Sequence, residues 1–498
     1  MTLLLPDTTA VLNGLSSADP DHAPWPLDKS SAEPWIKQLL NYARQQITSG
    51  QWAAGVKLPS IRQLAGTLAV SKFTVSELYE RLAAESLVVS RAGSGVYVAR
   101  TQPVALLSEA KAGQSALSAE VALMRQTLQR ESSVIKPAAG WLMPDWLPAT
   151  AIRQAMREVA RQPQSLSDYG PAQGNLLLRR YLSERLSQLK VVAQPQQILL
   201  TASATHALDL CMRLYLKPGD SVIVDDPGFY NFFAMLRLYH LKILPLPRHV
   251  DGPDLTALSQ LLQQEKPAAY LTNSVLSNPV GTCVSPQKAF QVLELLQQHQ
   301  CLLIEDDIYA DFEHQSAMRY ASLTGLQRGI YIGSLSKTIS ADLRVGYIAA
   351  SAEQIAALTD LKLITGSSTS QTVERLVYQV LTGGAYRRHL EQLKKRLSSA
   401  MNEVTIAFQQ RGFKAWHQPE AGYLLWLSLP TGISANDLAK KLAAQQIILA
   451  PGGHFSLQAD ADNFMRVNVT QCLEDKFWQA LDLACSDYHH YMPNMAMP

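Results

Sequence analysis

Charge and cysteine are both scarce in this chain of 498 residues. Only 17% of its residues are charged, and 44 Lys and Arg against 42 Asp and Glu leave a formal net charge of +2. Over the whole chain that is too little to attract nucleic acid or an anionic membrane, although a small basic module can hide inside a neutral average. The five cysteines, Cys211, Cys283, Cys301, Cys472 and Cys485, are odd in number and widely spaced, with no CxxC pair and no histidine at metal-ligand spacing. This argues against a disulfide framework or a zinc motif and for reduced thiols that serve packing. No run approaches the roughly 18 consecutive apolar residues of a membrane span. The opening MTLLLPDTTAV has neither a basic n-region nor a long apolar h-region, so a cytoplasmic protein is expected. What the chain does have is apolar bulk, 47% of its residues, enough for a sizeable core spread over two to four domains.

Residues 1–33 hold four prolines and little periodicity and read as a flexible extension. Between 34 and 100, WIKQLLNYARQQITSG places Ile36, Leu39, Leu40, Ala43 and Ile47 on one helical face and stops at Gly50. Ser60 and Ser71 are good N-caps for two further helices joined by a tight link around Val70. LVVS and VYVA then form a hairpin across RAGSG. Residues 101–136 are rich in Ala, Ser and Gln and read as a linker with one helix near Val121–Gln129. From 137 to 490 apolar strands such as ILLTA, SVIVDD, CLLIEDD and IYIGS alternate with helices, which predicts an α/β fold with a mostly parallel sheet. A long helical tract from Gln371 to Phe408 and a smaller α+β segment containing YLLWLSL and FMRVNV follow, and residues 491–498 form a frayed tail.

The 34–100 module carries eight Lys and Arg against three Glu, the local basicity that the average conceals. With Ser71 as cap, Ser71, Lys72 and Thr74 fall in the first turn of the second helix of the turn, where backbone N–H groups and the helix dipole favour phosphate and short side chains reach base edges. Arg62 and Arg91, with the wing glycines Gly93 and Gly95, would grip the DNA backbone. Solvated charges on a small helical bundle fit the same residues. The segment from Gly55 to Val98 also closely resembles the winged helix-turn-helix of the GntR family of bacterial regulators, in LPSxRxLA, VSxxTV, YxxLxxE and GSGxxV. That resemblance implies binding to double-stranded operator DNA as a dimer, with Arg62, Ser71, Lys72, Thr74 and Gly95 facing it. Lys72 stands where the family often has Arg, and a lysine contacts phosphate as a point charge without arginine's planar fork.

In the large domain, GSLSKTISADLRVGY runs a strand into Ser334, Ser336 and Lys337, with Arg344 seven residues on. A lysine fixed by such a turn can form a Schiff base with an aldehyde, and hydroxyls with a guanidinium can hold a phosphate. A surface lysine after a turn fits as well. LIEDDIY ends a buried strand with Asp306 and Tyr309. A carboxylate beneath a pyridine ring keeps its nitrogen protonated, while Tyr309 and Asn278 of the NPVG turn can hydrogen-bond a phenolic oxygen. Their plain readings are a strand-end cap and a turn residue before proline. Ser203, Ala204 and Thr205 sit between a strand and a helix, at a positive helix end suited to phosphate. Phe229, after another strand, can stack on a ring or simply pack in a core.

In order and spacing these residues resemble fold-type I aminotransferases from about Pro137 to residue 490. The resemblance implies pyridoxal 5'-phosphate as cofactor, Lys337 as its Schiff-base lysine, Arg466 as a clamp for a ligand carboxylate, and Tyr169 reaching the phosphate of a partner subunit. Val280 departs from the turn's usual Thr. A GntR-like module joined to such a domain resembles the MocR subfamily, and GGAYRRHLEQLKKR is very like it. That implies a head-to-tail homodimer that regulates transcription in response to a small-molecule effector, an amine, amino acid or B6 vitamer. Two other readings stay open: an active aminotransferase with an accessory DNA-binding domain, and a DNA-binding protein whose large domain only dimerises.

Overall fold

The computed structural model describes residues 20, 25–31, 33–91, 93–99, 119–129, 133–162 and 168–486. The chain divides into two compact units, Met1–Ala116 and Leu117–Pro498. The tail 491–498 and most of the linker lie outside the described residues.

In the first unit α1 (Trp35–Thr48), α2 (Ile61–Leu68) and α3 (Lys72–Ala84) precede β1 (Val88–Arg91) and β2 (Gly95–Val98). Ser60 Oγ accepts the Gln63 N–H at 3.2 Å and Ser71 Oγ accepts the Thr74 N–H at 3.0 Å. These caps satisfy donors that the first turn of a helix leaves without partners. Between the two helices Ala69 adopts a left-handed backbone with φ of +50°, which turns the chain within two residues. Leu39, Leu40 and Ala43 from α1 meet Val75, Leu78 and Leu82 from α3, and Val88 and Val98 close the core from the hairpin. The hairpin is antiparallel, in register from Val88↔Val98 to Arg91↔Gly95. The described part of the expected flexible extension is tied down: Trp25 is buried against Tyr42 and Trp52, with ring centroids 5.8 and 5.0 Å away, and the Asp28 N–H donates to Gln38 Oε1 at 3.0 Å. One large aromatic supplies more apolar contact than the polar residues around it suggest.

The second unit runs α4 (Ala119–Leu128), α5 (Ala149–Arg161), α6 (Leu176–Gln188), β3 (Ile198–Thr201), α7 (Ala204–Tyr215), β4 (Ser221–Asp226) and α8 (Tyr230–Leu238). Next come β5 (Lys242–His249), β6 (Gly252–Pro253), α9 (Leu255–Glu265), β7 (Ala269–Thr272), α10 (Pro286–Gln298), β8 (Leu302–Asp306) and α11 (Tyr320–Thr324). Then follow β9 (Gly329–Ser334), β10 (Gly346–Ala349), α12 (Ala352–Gly366), α13 (Gln371–Thr382) and α14 (Gly384–Gln410). The eight strands of the large sheet lie in the order β3-β10-β9-β8-β7-β4-β5-β6. β5, β4, β7, β8 and β9 are mutually parallel, whereas β10 is antiparallel to both of its neighbours. Helices cover both faces, which is why the strands read as nearly continuous apolar runs. The expected single helical tract is two helices: Gly383 is extended, with φ −73° and ψ 131°, and separates α13 from α14. Two adjacent glycines, the weakest helix formers after proline, account for the break.

A second sheet, ordered β11-β12-β14-β13, is built from β11 (Lys414–Ala415), β12 (Leu424–Ser428), β13 (Ala450–Pro451) and β14 (Phe464–Asn468). α15 (Ala435–Ala443) and α16 (Asp475–Cys485) pack on it. Among the described residues no helix is long and apolar enough to cross a membrane.

Candidate cofactor site and DNA-facing helix

The sheet register brings the predicted phosphate residues together. Gly346, the first residue of β10, pairs with Thr201 at the end of β3 on one side and with Ser334 at the end of β9 on the other. The α7 start at Ser203, Ala204 and Thr205 therefore flanks the same glycine as the Ser334–Lys337 turn. A Cβ at Gly346 would lie 2.4 Å from the Ser203 carbonyl carbon, so only glycine permits this approach. Ser203 caps α7 by accepting the His206 N–H at 3.0 Å, which leaves the N–H groups of the first turn facing outward. Ser334 Oγ accepts the Ser336 N–H at 3.2 Å and shapes the turn that carries Lys337. Arg344, two residues before Gly346, is exposed and has φ of +52°, an uncommon backbone for an arginine.

Lys337 donates from Nζ to the Gly140 carbonyl at 2.6 Å, and its Nζ lies 5.9 Å from the Tyr309 ring centroid. Loss of solvation lowers its pKa from 10.5 to about 8; the positive charges of Arg466 and Arg344 act in the same direction, and Asp306 opposes them. Asp306 closes β8 and is buried. Burial pushes its carboxyl up to about 7, against a hydrogen bond from Asn273 and the charge of Lys337. Asn278 Nδ2 donates to the Tyr309 hydroxyl at 3.4 Å, and Arg466 Nη1 donates to Asn278 Oδ1 at 3.3 Å. Arg466, fully buried on β14, also donates to the Ala138 carbonyl and lies over the Phe455 ring, 4.8 Å from its centroid. Phe229 follows β4 and meets Tyr230 and Phe232 edge-on. Together with Tyr230 and Phe455 it belongs to one apolar cluster beside Arg466.

Three buried polar atoms here have no hydrogen-bond partner in the described chain: Asp306 Oδ1, Ser336 Oγ and Arg466 Nε. Leaving such groups unsatisfied is costly, so a ligand that supplied partners to all three would be favoured here. An acceptor for a ring N–H, a hydroxyl for a phosphate and a guanidinium donor for a carboxylate fit pyridoxal phosphate carrying an amino-acid-like ligand. The ends of the parallel strands are also where open α/β sheets bind ligands.

Two sets of residues fall outside the sequence reading. The first is the 138–141 segment, which straps the site. Tyr423 and Lys337 donate to the Gly140 carbonyl, and Asn468 Nδ2 donates to the Ala139 and Trp141 carbonyls at 3.1 and 2.7 Å. The second is Asn273, which donates to the Asp306 carbonyl at 2.8 Å. Backbone acceptors carry no residue-type signal, and the partners lie up to 329 positions apart. Tyr169 is not brought to the site of its own chain; it is 86% exposed.

In the first unit Arg62, Ser71, Lys72 and Arg91 are exposed, whereas Thr74 and Gly95 are half-buried. The Ser71 hydroxyl is engaged as a cap and also contacts Thr74 Oγ1 at 2.8 Å. Arg91 lies over the Tyr97 ring, 4.5 Å from its centroid. Phe73, absent from the sequence reading, is 76% exposed in the first turn of α3.

The model of the family "Aminotransferase class I and II" matches residues 143–482, and that of "Bacterial regulatory proteins, gntR family" matches residues 36–98. The chain thus belongs to the class I and II aminotransferase family, in the MocR-type arrangement with a GntR helix-turn-helix domain ahead of the aminotransferase domain. Pyridoxal phosphate is the cofactor this membership implies. The uncharacterized HTH-type transcriptional regulator YdcR of Escherichia coli is 29% identical over 87% of this chain and 94% of its own length. The 2-aminoadipate transaminase of Thermus thermophilus is 25% identical over 72% of this chain and 91% of its own. Among solved structures, LysN, the α-aminoadipate aminotransferase of Thermus thermophilus complexed with N-(5'-phosphopyridoxyl)-L-leucine, superposes with a TM-score of 0.67 at 24% identity, covering 76% of this chain and 99% of its own.

Proposed function

We propose that this protein is a pyridoxal-phosphate-dependent transcription regulator that senses a B6 vitamer or an amino compound through Lys337 and acts in the cytoplasm as a head-to-tail homodimer on operator DNA. The observation that carries the reading is the presence, in one chain, of a serine-capped helix in a GntR-type domain and of unpaired buried polar atoms on Asp306, Ser336 and Arg466 in the domain that holds Lys337.

Pyridoxal phosphate, when bound, supplies an aldehyde conjugated to a protonatable ring. Lys337 Nζ is the nucleophile for covalent attachment, and its lowered pKa keeps a useful fraction uncharged near neutrality. Asp306 would hold the ring proton, Asn278 and Tyr309 would hydrogen-bond the phenolic oxygen, and Phe229 would pack against the ring. The N–H groups of Ser203, Ala204 and Thr205, with Ser334, Ser336 and Arg344, would hold the phosphate. Arg466 selects a carboxylate, which favours an amino acid over a simple amine as effector. On the DNA side Arg62, Lys72 and Arg91 bind phosphates, and Thr74 with Phe73 reaches base edges, where an aromatic suits a thymine methyl.

A ligand shifts operator affinity only by its differential affinity for two arrangements of the protein. The test is operator binding by cofactor-free, cofactor-loaded and amino-acid-treated protein. Equal affinity in all three states overturns the sensing role. Lys337 and Arg466 favour one further reading, residual transamination. Many turnovers with an amino donor and a keto acid, without protection of promoter DNA, would put that reading first.

A further inference from the structure

Three buried charges take no part in the cofactor site. Arg179 on α6, Lys362 on α12 and Glu374 on α13 are each removed from solvent, an expensive arrangement unless every charge finds good partners. Their partners converge on the segment that follows Tyr169. Lys362 Nζ donates to the Ala172 carbonyl at 2.8 Å, to the Leu200 carbonyl at 2.8 Å and to Thr369 Oγ1 at 3.2 Å. Glu374 Oε2 accepts the Asn175 N–H at 2.8 Å, and its other oxygen accepts the Thr369 hydroxyl. Arg179 donates to the Gly174 carbonyl at 3.1 Å and to the Pro195 carbonyl at 2.6 Å.

The segment is pinned from its other side as well. Gln173 Nε2 donates to the Gln196 and Ile198 carbonyls at 2.7 and 2.9 Å. Gly174 has φ of +94°, and a Cβ there would overlap Leu200 at 2.6 Å. Three residues before this fixed segment stands Tyr169, an aromatic 86% exposed. Exposed aromatics on ordinary loops are free to move, whereas this one leads directly into backbone held from residue 172 to 175. Leu200, gripped by the same lysine, lies on the strand that leads into Ser203, Ala204 and Thr205.

We infer that Arg179, Lys362 and Glu374 are positioning residues that lock the Tyr169 segment and β3 into one frame. One cluster then sets both the tyrosine offered to the phosphate in a second copy of this chain and the phosphate-facing helix end of its own copy. The inference rests on the reading that Tyr169 serves the partner's phosphate. Fixing a donor in advance strengthens the contact by reducing what is lost on ordering it.

The experiment compares dissociation constants of full-length protein for pyridoxal phosphate and for pyridoxal, which lacks the phosphate. The variants are Tyr169→Phe, Lys362→Met, the milder Thr369→Val in case the lysine variant does not fold, and each of the last two combined with Tyr169→Phe. Lys362→Met is expected to weaken pyridoxal phosphate about tenfold and Thr369→Val about threefold, with pyridoxal unchanged, and Thr369→Val is expected to cost much less once Tyr169→Phe is present. Equal losses for both ligands, or full additivity of Thr369→Val with Tyr169→Phe, overturn the inference. If Tyr169→Phe weakens pyridoxal phosphate while Lys362→Met and Thr369→Val do not, the inference alone fails. If Tyr169→Phe has no effect, the reading of Tyr169 fails and the inference falls with it.

Discussion

The two units use charge in opposite ways. In the winged helix unit Arg62, Lys72 and Arg91 are exposed, around a core that, among the described residues, holds no buried charged side chain. In the aminotransferase unit Arg466 and Asp306 are buried, Lys337 is half-buried, and the pKa values of all three are shifted. An exposed cation can find a phosphate on any DNA and is screened by salt. A buried charge is expensive, so it is tolerated only where a specific partner or ligand satisfies it. The exposed cations of one unit therefore suit long-range attraction, whereas the buried charges of the other call for specific partners.

The largest expected effect is all-or-none. Lys337→Ala removes the visible absorption band that forms when pyridoxal phosphate is added, and mass spectrometry after borohydride reduction finds no cofactor attached to the chain. A band fixed covalently in the alanine variant would place the nucleophile elsewhere.

Second in size, Arg319→Met strips Asp307 and Glu313 of the buried cation they share, at a cost of about 3–5 kcal/mol to the large unit. Calorimetry should show the transition of that unit falling while that of the winged helix unit stays in place. Loss of both transitions together would mean that the two units do not unfold independently.

The pH dependence of covalent attachment comes next. Only the neutral amine attacks a carbonyl, and burial lowers the pKa of Lys337 to about 8. The attachment rate should therefore rise with pH and level off above about 8. A rate still climbing tenfold per pH unit at pH 9.5 would show an ordinary lysine.

The smallest effects belong to the surface. Arg62→Ala and Lys72→Ala should each lower the slope of log affinity for DNA against log salt by about 1, with stability changed by less than about 0.5 kcal/mol. Unchanged slopes would remove those residues from the DNA interface, and a large stability loss would show that they are structural.

Local patterns made much of this legible. Ser60 and Ser71 cap the helices expected of them because a cap is a contact over three residues. The strand ends at Asp306 and Ser334 were readable because a run of apolar residues closes there on polar ones. The break at Gly383 was missed because helical periodicity continues across it, and Trp25 because a lone aromatic in a proline-rich stretch has no periodicity at all. In the site, every side chain picked for the cofactor lies within a short motif, and all but Tyr169 sit at strand ends or turns of the large unit or beside them.

The sequence by itself determined the two-module order and the class of cofactor, since each rests on short motifs, such as VSxxTV and SxSK, whose order along the chain can be read without the fold. Only the tertiary structure decided that Gly346 joins the start of α7 to the Ser334–Lys337 turn, that Gly140 receives the Lys337 ammonium, and that Lys362 grips both Ala172 and β3. The physical reason is separation. The two lysines reach backbone carbonyls more than 100 residues distant, and a carbonyl looks the same in every residue until the fold shows which one is within reach.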